Sequence, residues 1–187
     1  MNTRQTETAY FAGGCFWGVE YWMKKLDGVL SVRSGYMGGT TEHPSYDDVC
    51  TGKTGHAETV EVIFDFKRVS YRDLVRRFFE IHDPTELNRQ GPDIGTQYRS
   101  AVFYTDEDQK RTAESLIGIL RENGYDVVTE LSHSGVFHLA EDYHQNYYGK
   151  KGHVPYCHVP AERPWAGRIK IDKKADMYQN AGLRRIH

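Results

Sequence analysis

Nowhere in the 187 residues is there a run of about 18 apolar positions, so no segment reads as a bilayer-spanning helix. The first ten residues, MNTRQTETAY, lack the apolar centre of a secretory signal. Cysteine is scarce: Cys15, Cys50 and Cys157 are too few for a disulfide scaffold, and free or transiently paired thiols in a cytoplasmic protein are expected instead. A formal net charge of −2 gives no electrostatic case for nucleic acid or an anionic membrane surface. Neither a CxxC nor an HExxH spacing occurs, so the nearness of His153, Cys157 and His158 predicts no metal site. There is no internal repeat. One domain is expected over residues 1–187, with a core at about 7–148 and an irregular tail at 149–187.

Aromatic residues are what the chain has in plenty, and its 13 Tyr, 8 Phe and 3 Trp must fill a core or line a pocket. Periodicity predicts a strand over residues 7–12 and a helix over 15–27, with Val19, Trp22, Met23 and Leu26 on one face. Trp22 is assigned to that packing face. Further strands are expected at 29–33, 58–66, 98–104 and 127–131. One more helix should start at Ser70 and Asp73; another, capped by Thr105 and Asp108, should close at Gly124. Long loops at 35–55 and 85–97 are expected to be functional or mobile. This order suits an α+β fold: a mixed sheet with helices in a two-layer, split βαβ (ferredoxin-like) sandwich, followed by the long tail.

Cys15 lies in Gly13-Gly14-Cys15-Phe16-Trp17-Gly18, where the first strand meets the first helix. Glycines permit a sharp turn and a close ligand approach, and a helix N-terminus favours a thiolate. Glu58 shares the strand parity of Val60, Val62 and Phe64, so its carboxyl should face the apolar side, where burial raises a carboxyl pKa. Tyr46 and Tyr98 offer hydroxyl donors from the two long loops. Phe16 and Trp17, next to the thiol, could form an apolar cage. A hydrolase pairing Cys15 with His56 or His144, and a peptide-binding module without turnover, are the rival readings.

Four segments carry a resemblance. The string GCFWG, the stretch Tyr46–Cys50 (YDDVC) followed by Thr54-Gly55-His56-Ala57-Glu58, the segment Asp93-Ile94-Gly95-Thr96-Gln97-Tyr98-Arg99-Ser100, and Ala140-Glu141-Asp142-Tyr143-His144-Gln145 together resemble the A-type peptide methionine sulfoxide reductases. The resemblance implies reduction of methionine-S-sulfoxide, free and in proteins, as repair after oxidative damage. It assigns Cys15 as nucleophile, Glu58 as acid, Tyr46 and Tyr98 as donors to the sulfoxide oxygen, and Asp93 as a residue that orders the site. Phe16, Trp17, Gly14 and His144 become substrate-binding residues. Cys157 becomes the thiol that resolves a Cys15 sulfenic acid, carried on a tail able to swing to it, with Cys50 a buried spectator. The resulting disulfide would be recycled by thioredoxin, or by dithiothreitol in vitro, with no cofactor and as a monomer. Family members often carry a further recycling cysteine; this chain has none after Cys157. They also commonly place Phe-Tyr where this chain has Phe137-His138.

Overall fold

The structure is a computed structural model that describes residues 5–165. Strand β1 (Thr6–Gly13) runs into helix α1 (Phe16–Met23), and β2 (Val29–Met37) leads through the short helix α2 (Tyr46–Cys50) to β3 (Ala57–Asp65). Helix α3 (Tyr71–Ile81), the small hairpin β4 (Arg89–Gln90) and β5 (Asp93–Ile94), and β6 (Ser100–Tyr104) follow. Then come α4 (Glu107–Glu122), β7 (Glu130–His133), β8 (His138–Leu139) and α5 (Tyr147–Lys151).

The main sheet has the order β7-β6-β1-β3-β2-β8. Its four central strands, β6-β1-β3-β2, are antiparallel to one another, so β1–α1–β2 leaves a slot that β3 fills, and β3–α3–β6 leaves one that β1 fills. Those are two split βαβ units. Strand β7 adds to β6 in parallel and β8 to β2 antiparallel. Period-2 alternation places Phe11, Val60, Val62, Phe64 and Val102 on the face covered by α1, α3 and α4, whose Val19, Phe78 and Leu116 complete a buried core. A smaller cluster, Ala12, Met37, Ala57, Ala101 and Phe103, lies on the other side of the same strands.

Several expected boundaries need correction. Helix α1 ends at Met23 rather than Asp27, because the chain turns at Lys24–Leu26 to start β2; Leu26 is nevertheless buried. Strand β2 extends to Met37, four residues beyond expectation, since pairing with β3 continues to Met37↔Ala57. The 35–55 loop contains α2, nucleated by a capping box in which Ser45 and Asp48 satisfy each other's backbone N–H. Asp106, not Thr105 or Asp108, caps α4 by accepting from the Gln109 N–H. The last expected strand lies at Glu130–His133, where it pairs with Ala101–Tyr104. Of the tail, residues 166–187 lie outside the described residues.

Candidate active site

Where β1 ends, Gly14 takes φ +93°, and Cys15 follows as the N-cap of α1. A side chain at Gly14 would strike Gln90, so the turn tolerates no Cβ on either ground. Across from Cys15, Glu58 is the second residue of β3 and only 2% exposed, as its parity requires. The Phe16 N–H donates to Glu58 Oε2 at 3.0 Å, which ties the carboxyl to the first turn of the helix that Cys15 caps. Cys15, Glu58, Tyr46, Asp93, Tyr98 and Cys157 all line one cavity of about 480 Å³. Residues from five separate stretches of chain converge there.

The electrostatics are those of a dry site. Burial pushes the Glu58 carboxyl up to about 8, against the Phe16 hydrogen bond, with Asp93 adding to the rise. Cys15 is pushed well above the ordinary thiol range, first by burial and then by Glu58, while the Trp17 N–H pulls the other way. The helix N-terminus therefore does not prevail, and the thiolate expected at rest gives way to a thiol beside a protonated acid. Burial also raises Asp93, Tyr46 and Tyr98, keeping both hydroxyls as proton donors.

Tyr46 is fixed from behind. Glu141 Oε1 accepts from the Tyr46 N–H at 2.8 Å and Glu141 Oε2 from the hydroxyl of fully buried Tyr36 at 2.8 Å. Truncating Glu141→Ala leaves both donors without an acceptor. The expected cost is about 1–3 kcal/mol of stability, read as a lower urea midpoint with unaltered slope. Tyr98 sits in a 3-10 turn that Arg99 braces, donating to Thr96 O at 3.0 Å and Gly55 O at 2.9 Å and meeting Glu130 at 3.0 Å.

The apolar wall is stacked aromatic. Trp17 lies flat on Tyr147, with ring centroids 3.7 Å apart and planes 4° from parallel. The Trp17 indole N–H donates to His144 Nδ1 at 3.0 Å, and Phe16 packs 5.0 Å from the same imidazole. Burial lowers the His144 pKa, so the ring is neutral and holds both aromatics at a fixed angle.

A thiol, a protonated carboxyl, two hydroxyl donors, an aromatic wall and a second thiol in one cavity fit reduction of a small polar group attached to an apolar one. Sequence comparison is decisive: the family model described as peptide methionine sulfoxide reductase matches residues 7–176. The chain belongs to that family. A curated relative, peptide methionine sulfoxide reductase MsrA of Nautilia profundicola, is 53% identical over 149 residues, covering 80% of this chain and 86% of the relative. Among solved structures, Mxr1 from Saccharomyces cerevisiae in reduced form is 36% identical with a TM-score of 0.77, over 84% of this chain and 93% of that one. The same yeast protein in complex with Trx2, aligned at 24% identity and a TM-score of 0.56 over 84% of this chain and 91% of that one, shares the fold. This chain is accordingly a thiol-dependent methionine sulfoxide reductase.

Against that family site, some sequence expectations shift. Gly14 does not line the cavity; Gln90 and His158 cover it. His144 stands behind the wall and positions Trp17 and Phe16, rather than facing the cavity. Cys50 is exposed, not buried, because α2 rests on the core through Val49 and the partly buried Tyr46, leaving Cys50 at the helix end in solvent. The described part of the tail is anchored rather than loose. His158 is fully buried, its carbonyl accepts from Trp22 Nε1 at 2.6 Å, and Arg163 donates to Phe79 O and His82 O at 2.8 and 2.9 Å. The hydrolase pairing finds no geometry either. His56 spends its nitrogens on the Gly39 N–H and Thr41 O, and His144 Nδ1 is held by Trp17. Sequence reading missed Glu141, Tyr147 and Tyr156; the last two line the cavity from segments without periodicity, so only their aromatic content marked them.

Proposed function

We propose that this reductase takes the S epimer of methionine sulfoxide, free and in proteins, as a cytoplasmic monomeric repair enzyme recycled by thioredoxin. What supports the mechanism most is a single juxtaposition: a carboxyl held protonated near neutral pH beside the Cys15 thiol, with Cys157 lining the same cavity. The sulfoxide oxygen would accept from the Glu58 carboxyl and the Tyr46 and Tyr98 hydroxyls, its methyl resting against Phe16 and Trp17, with Asp93 ordering the oxygen's surroundings. The Cys15 sulfur attacks, its proton replacing the one Glu58 delivers to the oxygen. Methionine leaves and the oxygen remains on Cys15 as a sulfenic acid. Cys157 then condenses with it, forming a disulfide and water, and a dithiol reductant restores both thiols by exchange. The yeast protein's complex with Trx2 supports thioredoxin in that role.

Thioredoxin-coupled turnover of the two resolved epimers, run beside Cys157→Ser, tests the whole scheme. The S epimer should be reduced and the R epimer ignored. Cys157→Ser should release one methionine per enzyme and then stall. Normal cycling by Cys157→Ser on thioredoxin would transfer the resolving role to Cys50.

A further inference from the structure

His158 has no part in the reduction step just described, yet its side chain is fully buried. Its imidazole lies against α1, so close over Gly18 that any Cβ there would strike it. The Nε2 atom lies 2.7 Å from the Gly13 carbonyl, an acceptor only, so Nε2 must carry the proton. That fixes the tautomer and leaves Nδ1 with its lone pair free. The atom 3.0 Å from Nδ1 is the Cys157 sulfur.

We propose that His158 is the general base of the resolving step, taking the Cys157 proton as that sulfur attacks oxidised Cys15. This rests on the sulfenic-acid reading above. The Cys157 Sγ–H proton passes to His158 Nδ1 while the sulfur pair forms the S–S bond. The Cys15 S–O bond breaks, and its oxygen leaves as water with the proton of Glu58. Cys157 is oxidised and Cys15 reduced; His158 then returns its proton, restoring Glu58 through solvent. A base is needed because burial, with Asp93 behind it, pushes the Cys157 thiol up to about 11, so free thiolate is rare near neutral pH. The titratable groups facing the pair are Cys15 at the start of α1, Glu58 from β3, His82 at the end of α3, Asp93 from β5, Tyr148 from α5 and the neighbouring Tyr156. His82 is held to about 3 by burial and does not compete for the proton.

The experiment adds one equivalent of methionine-S-sulfoxide without reductant and follows methionine release and loss of free thiols separately. Two variants are compared with the unaltered chain: His158→Gln, which keeps a donor for the Gly13 carbonyl, and His158→Ala, which leaves room for added imidazole. Both should release methionine in the first turnover. Disulfide formation should slow by about 10²-fold near pH 7. The slowed rate should climb about tenfold per pH unit as hydroxide replaces the base, and imidazole should restore it in His158→Ala. Disulfide formation at the unaltered rate overturns the proposal, as does a deficit equal at every pH and deaf to imidazole, which a displaced tail would give. No methionine release from the unaltered chain would overturn the reading beneath it.

Discussion

Cys15→Ser should lose turnover by more than about 10⁴-fold with either thioredoxin or dithiothreitol, the scale on which removal of an attacking atom falls. The substitution is nearly isosteric, so the N-cap position, the Phe16 bond to Glu58 and the aromatic wall should persist. A serine hydroxyl ionises far less readily than a thiol and forms no sulfenic acid, so neither the attack nor the disulfide has a substitute. The informative companion is equilibrium binding of methionine-S-sulfoxide, which should survive in the variant. Turnover close to that of the unaltered chain would leave Cys15 a packing residue and strip the site of its chemistry. Measured beside Cys157→Ser, the two variants separate: one makes no methionine, the other makes one equivalent.

The fold and the site were legible to different depths, for physical reasons. Glu58 could be read from parity because β3 is an inner strand paired on both edges, where a period-2 pattern faces a helix layer. Val19, Trp22 and Met23 likewise announced the buried face of α1. Short elements escaped: α2, α5 and β8 hold five residues or fewer, less than the window over which a period can show itself. Glu141 escaped for another reason. Its worth lies in reaching the Tyr36 hydroxyl and the Tyr46 amide, 105 and 95 residues away, and nothing local encodes that. The thiol of Cys15 was misread because a helix-end charge is a local property, whereas the burial that outweighs it is assembled by the whole cavity. His158 lies in a stretch of Gly, Pro and His that reads as a loose tail. Its burial depends on the absence of a side chain at Gly18, 140 positions earlier.

The same cavity makes Glu58→Gln the sharper test of mechanism. Near pH 7 the variant should be slower by about 10²–10⁴-fold, since an amide can donate a hydrogen bond to the sulfoxide oxygen but cannot surrender a proton. With the carboxyl pushed up to about 8, the unaltered rate should hold through neutral pH and then fall about tenfold per unit above 8. Glu58→Gln should show no break there, and its deficit should shrink toward acid pH as hydronium takes over the donation. Stability must carry the matching signature. Between the ordinary 4.5 and about 8 the folded chain keeps a proton that the unfolded chain has given up, so folding weakens as pH rises through that window. Glutamine has no proton to keep. The stability of Glu58→Gln relative to the unaltered chain should therefore grow from pH 4.5 to 8 and level off beyond, measured as unfolding midpoints at constant ionic strength. A difference flat across the window would mean that Glu58 is ionised in the folded state, and an ionised Glu58 cannot be the acid.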